Sequence, residues 1–102
     1  MAPRVLVSDE LSETAVQIFR DRGVEVDYMP KLGKDKEALA AIIDQYDGLA
    51  IRSATKATEK LLEKAINLKV IGRAGIGVDN VDIAAASKKG VIVMNTPFGN
   101  SI

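Results

Sequence analysis

Five short runs of aliphatic and β-branched residues recur along the chain: Val5-Leu6-Val7, Val24 to Tyr28, Leu49-Ala50-Ile51, Leu68 to Gly72 and Val91-Ile92-Val93-Met94. Segments whose apolar residues repeat every three to four positions separate them. This alternation constrains the fold more than any other feature. Runs that are apolar on both sides belong to strands covered on both faces, and strands that alternate with helices pair in parallel. Right-handed crossovers then predict one doubly wound sheet of order 2-1-3-4-5. Only Val24-Glu25-Val26-Asp27-Tyr28 alternates apolar with polar, so the second strand is placed at a sheet edge.

The intervening segments carry helix signals. The first helix is expected to have Ser12 as N-cap, a staple of Leu11 on Val16, an inner stripe of Leu11, Ala15, Ile18 and Phe19, and Gly23 at its end. The second runs from about Asp35 to Tyr46, with Leu39, Ile42, Ile43 and Tyr46 on one face. Thr58 caps a third helix that turns Leu61, Leu62 and Ala65 inward, and Asn80 is expected to cap a fourth, alanine-rich helix stopped by Gly90. The whole is an α/β, flavodoxin-like sheet. Four helices for two faces leave part of it uncovered, and the last residues open a further element, so the chain is expected to be a fragment.

Composition narrows the chemistry. In 102 residues there are 14 Lys and Arg, 14 Asp and Glu, and no His or Cys. Zero net charge argues against a nucleic-acid partner. No apolar run is long enough to span a membrane, and no signal-peptide core is visible, so a cytoplasmic protein is expected. Without His, this chain alone has no imidazole for acid–base catalysis. Without His and Cys, a transition-metal site is excluded, and Asp79, Asn80 and Asp82 read as capping residues, not as metal ligands.

In such sheets ligands bind at the carboxyl ends of the strands, near the point where strand order reverses. The residues delivered there are Ser8-Asp9-Glu10, Arg52-Ser53-Ala54-Thr55, the run from Arg73 to Gly77, and Asn95-Thr96-Pro97. Two arginines at successive strand ends are either solvated or paired to hold a carboxylate or phosphate, which guanidinium forks bind bidentately. The glycines of Gly72-Arg73-Ala74-Gly75-Ile76-Gly77 lack the third glycine of a dinucleotide loop and follow the wrong strand. An acidic phospho-acceptor pocket around Asp9 and Glu10 also fails, because Arg52 and Asn95 stand where it needs an aspartate and a lysine.

Three stretches carry a resemblance. Residues 51–55 (Ile-Arg-Ser-Ala-Thr), 70–82 and 90–101 are similar, in order and spacing, to the amino-terminal part of the D-isomer-specific 2-hydroxyacid dehydrogenases, in the branch that acts on D-3-phosphoglycerate. The resemblance implies a flavodoxin-like substrate-binding domain whose first segment is residues 1–98, with 99–102 beginning an interdomain helix. It implies NAD as cofactor, bound mainly by a Rossmann domain outside this sequence, phosphoglycerate as a small anionic substrate, and a homo-oligomer. It assigns substrate contacts to Arg52, Ser53, Arg73, Ala74, Gly75 and Asn100, and a cofactor-edge contact to Ile76, where some relatives carry Thr. No catalytic residue is expected in this chain, which by itself is expected to be inactive. The alternative is a free-standing anion-binding or regulatory module of the same fold.

Overall fold

Val5, Leu6 and Val7 have no polar side to turn to water, and the computed structural model places them in an interior strand of a parallel sheet. The structure describes residues 3–10, 13–52, 54–74 and 80–96, with the side chains of Thr14, Ala15, Ile18, Ala74, Asn95 and Thr96 outside the description. The strands are β1 (Arg4–Val7), β2 (Glu25–Tyr28), β3 (Gly48–Ile51), β4 (Val70–Ala74) and β5 (Ile92–Thr96). The helices are α1 (Glu13–Asp21), α2 (Lys36–Ile42), α3 (Glu59–Lys64) and α4 (Ile83–Lys88). All strand pairs are parallel and the order is β2-β1-β3-β4-β5, as the sequence predicts. The half-exposed β2 takes an edge. No helix among the described residues is long and apolar enough to cross a membrane.

The two sheet faces are unequally covered. One carries Leu6, Leu49, Ile51 and Ile71 against Leu39 and Ile43, Leu61 and Leu62 of α3, and Ala85 and Ala86 of α4. Each fully buried leucine or isoleucine there contributes roughly 1.5–3 kcal/mol. The other face carries Val5, Val7 and Ala50, with Val16 and Phe19 of α1 and also Val24 and Val26 packed against them. Strand alternation puts Ile92 and Met94 on this second face, beside Val70 and Gly72. They remain 63% and 48% exposed. Among the described residues, the exposed apolar side chains of this face therefore lie at the β5 edge.

Element ends depart from the sequence reading where polar residues carry the backbone ladder. β4 begins at Val70, two residues after the expected start, and runs on through Arg73 and Ala74, because Asn95 and Thr96 extend β5 alongside them. Leu68 is buried in the preceding loop instead. α2 ends at Ile42 and its last turn, Ile43–Gln45, tightens to a 3₁₀ helix. A second 3₁₀ turn, Leu32–Lys34, occupies the segment around Gly33. Gly23 and Gly90 hold φ of 79° and 74°, the left-handed geometry expected of glycines that stop helices. Thr58 caps α3 by accepting from the Leu61 amide. The cap of α4 is Asp82, not Asn80. Leu11 and Ser12, expected as staple and N-cap of α1, and the interdomain helix from Gly99 lie outside the described residues.

At the opposite end of the sheet from the expected site, Tyr46 joins the edge strand to the core. It is 3% exposed and its hydroxyl donates to Asp27 Oδ2 at 2.6 Å. Arg4 donates to the same oxygen at 3.1 Å, with its guanidinium carbon 5.0 Å from the Tyr46 ring centroid. A cation over a ring face beside a shared carboxylate is attractive on both counts.

Candidate functional site

A parallel strand that ends in polar residues must satisfy them at the carboxyl edge, and β1 does this with a buried carboxylate. Asp9 is 2% exposed. Its Oδ2 accepts from the backbone amides of Arg52 at 2.7 Å and Thr55 at 2.9 Å, and its Oδ1 from the Thr55 hydroxyl at 2.6 Å. The Thr55 hydrogen is spent on the carboxylate, so the 2.7 Å contact between the Ser8 and Thr55 hydroxyls has Ser8 as donor. Three donors to one carboxylate offset much of the cost of burying it. The Gly33 amide donates to the Ser8 carbonyl at 2.8 Å, and a Cβ on Gly33 would collide with Thr55 Oγ1 and Asp9 Oδ1. Only glycine lets the loop after β2 close over the carboxylate.

Asp9 thereby fixes the turn that presents Arg52. The Arg52 side chain is exposed, and its Nη1 donates to the Glu10 carbonyl at 3.1 Å, which draws the guanidinium across the end of β1. Arg73 lies at the next strand end, half-buried in β4, level with Ile51 on one side and Asn95 on the other. Asn80 stands between the two arginine segments. Its Oδ1 accepts from Arg73 Nε at 2.5 Å, and its Nδ2 donates to the carbonyls of Arg52 and Thr55, each at 2.6 Å. Backbone bonds from Ala57 to Asn80 (2.8 Å) and from Asp82 to Ala57 (2.9 Å) weld the β3–α3 and β4–α4 connections into one unit. Asn80 is thus drawn into cross-loop bonding, which is why helix capping passes to Asp82.

An open cleft of about 600 Å³ runs along this unit, lined among others by Lys56, Arg73, Asn80 and Asp82. A groove of about 640 Å³ between α2 and α3, with Lys36, Lys60 and Lys64 over Leu39 and Leu61, contains none of the expected site residues. Of the expected site residues Arg73 lines the first cleft; Arg52 does not, and Asn80 connects the Arg73 side chain to the Arg52 main-chain carbonyl. The structure places Ala74 as the last residue of β4, paired with Thr96. Ser53, Gly75, Ile76 and Asn100 lie outside the described residues. Among the described residues no group of His, Cys, Asp and Glu is arranged to hold a metal ion. The sequence reading missed Asp9, Thr55 and Asn80 as organisers of the site. The available signal was an aspartate two positions after the apolar run Val5-Leu6-Val7, at the carboxyl end of a buried strand.

The geometry has named parallels. The family model described as "D-isomer specific 2-hydroxyacid dehydrogenase, catalytic domain" matches residues 5–102. The chain is 49% identical over 100 residues to the D-3-phosphoglycerate dehydrogenase of Methanocaldococcus jannaschii, and 48% identical over 99 residues to that of Homo sapiens. Each alignment takes in 97% of this chain and 18% of the relative, so the chain spans about a fifth of the length of the curated relatives it matches. A solved structure of NAD+-bound 3-phosphoglycerate dehydrogenase from Entamoeba histolytica superposes with a TM-score of 0.82 at 32% identity, over 94% of this chain and 33% of that one. On its sequence and its fold alike, the chain belongs to the D-isomer specific 2-hydroxyacid dehydrogenases, within the family's catalytic domain.

Proposed function

We propose that this chain forms the acid-binding face of an NAD-dependent dehydrogenase that oxidises D-3-phosphoglycerate to 3-phosphohydroxypyruvate, the entry step of serine biosynthesis. The observation that carries the reading is the pair of arginines at neighbouring strand ends, with Asn80 bonded to the Arg73 side chain and to the Arg52 main-chain carbonyl. The substrate carries a carboxylate and a phosphate, and two guanidinium groups on one rigid unit match two anionic ends. Relatives named for this reaction at 48–49% identity support the substrate assignment. Ser53, Ala74, Gly75 and Asn100 complete the proposed substrate pocket, and the parent protein is a cytoplasmic homo-oligomer.

In the reaction the C2–H bond of the substrate breaks, its hydride passes to NAD+, and the hydroxyl proton leaves to a base. This chain has no His, so its residues bind and orient the acid groups and leave the proton to another part of the site. The main contacts of the cofactor are proposed to lie in a Rossmann domain outside this sequence. Among the described residues the positive-φ glycines are Gly23 and Gly90, both helix stops, and neither forms a pyrophosphate turn. The proposed contact of this chain with NAD is the edge residue Ile76.

The test is Arg52→Ala in the full-length protein. A bidentate contact to an anion in a partly closed cleft is worth roughly 2–3 kcal/mol. The KM for phosphoglycerate is expected to rise about 30- to 150-fold, with kcat less affected and the KM for NAD unchanged. Arg52→Lys restores only part, since a point charge does not reproduce the fork. An unchanged KM in a folded variant removes Arg52 from the site.

A further inference from the structure

Asn80 belongs to none of the residues that the sequence pattern marks for substrate or cofactor, yet its side chain is where the two arginine segments meet. The orientation of its amide is settled by its partners. Arg73 Nε can only donate, so the atom facing it is Oδ1, and the carbonyls of Arg52 and Thr55 can only accept, so the atom facing them is Nδ2. One planar group therefore sets the Arg73 guanidinium and the Arg52 turn in a fixed relation, 7 and 28 residues away in sequence. We propose that Asn80 is a positioning residue for anion recognition: it holds the Arg73 fork at the spacing from Arg52 that a substrate with two acidic ends requires. This rests on the reading of the arginine pair given under Proposed function.

The chemistry admits few substitutes. Aspartate would keep an acceptor for Arg73 and lose the donor, setting a carboxylate against two carbonyl oxygens. Glutamine carries both functions on a stem one methylene longer, which displaces the plane. Alanine frees Arg73 Nε from this contact and leaves two carbonyls without the amide. Small displacements of a positioned charge weaken binding steeply, so the deficit should appear in substrate affinity.

The experiment uses the full-length protein with Arg52→Ala, Arg73→Ala, Asn80→Ala, Asn80→Asp and the double variant Asn80→Ala/Arg73→Ala. Steady-state kinetics, calorimetric titration with 3-phosphoglycerate and thermal melting are recorded for each. Asn80→Ala is expected to raise the KM and Kd for phosphoglycerate about tenfold, with kcat within twofold and the KM for NAD unchanged. The double variant should bind within threefold of Arg73→Ala alone, because Asn80 acts largely through Arg73. If Asn80→Ala does not fold, Asn80→Asp carries the test, and its KM is expected to rise as well. A purely structural role would lower the melting temperature and leave KM within twofold of wild type in both variants, which overturns the inference. A double variant whose loss equals the product of the two single losses overturns it too. If Arg52→Ala and Arg73→Ala both leave the KM unchanged, the arginine reading itself has failed. If they raise it and the Asn80 variants do not, the positioning role alone is lost.

Discussion

Tyr46 shows how much one buried polar group can do on this scaffold. Burial first, and then the hydrogen bond to Asp27, push its hydroxyl up to about 12 from an ordinary 10. A phenol with a folded-state pKa above its unfolded one contributes stability that is complete below about pH 10 and is lost as pH rises through about 12. We expect the unfolding free energy of the wild type to fall across that window by an amount on the order of 2 kcal/mol, and that of Tyr46→Phe to fall distinctly less. Chemical denaturation at pH 7 to 12.5 checks this, and parallel curves would place the phenol outside the linkage. The residue scale is also where sequence reading was weakest. Arg52 and Arg73 were legible because a cation after an apolar strand is conspicuous. Asp9 and Asn80 were not, because their partners lie 43 and 46 residues away in one case and 25 and 28 in the other. No local pattern encodes such pairs.

Elements were legible wherever a cap or a positive-φ glycine marked their ends. Thr58, Gly23 and Gly90 stand at the expected places because each supplies something the helix end needs. The cap of the fourth helix was misjudged because Asn80 and Asp82 are both good caps, and only tertiary bonding decides between them. Asp82 accepts from the Ala85 amide at 3.0 Å. Removing it in Asp82→Ala is expected to cost about 1 kcal/mol, which lowers the melting temperature of a domain this size by roughly 4–8 °C. Differential scanning calorimetry measures it, and a change under 1 °C would return the cap to another residue.

At the scale of the whole molecule, strand order follows from alternation and handedness alone, and the five-strand order was legible in full. The distribution of helices was legible only as an expected shortage, and among the described residues the exposed apolar side chains of the second face lie at β5. Ile92 and Met94 form an apolar strip at the β5 edge. The isolated 102-residue chain is therefore expected to bind a hydrophobic dye and to self-associate at micromolar concentration, and Ile92→Lys with Met94→Lys to abolish both. Light scattering and dye fluorescence read this directly, and a dye-silent monomer would show the strip to be inert. The buried Asp9 carboxylate has a different consequence, in the energetics of ligand and fold together. Its bonds close a loop of more than forty residues, so the turn carrying Arg52 has its native shape only when β1 and β3 are already paired. A ligand that binds this turn binds the folded state and not the unfolded one, and stabilises the entire sheet by RT ln(1 + [L]/Kd). At this edge of the sheet, occupancy and folding are one equilibrium read at two ends.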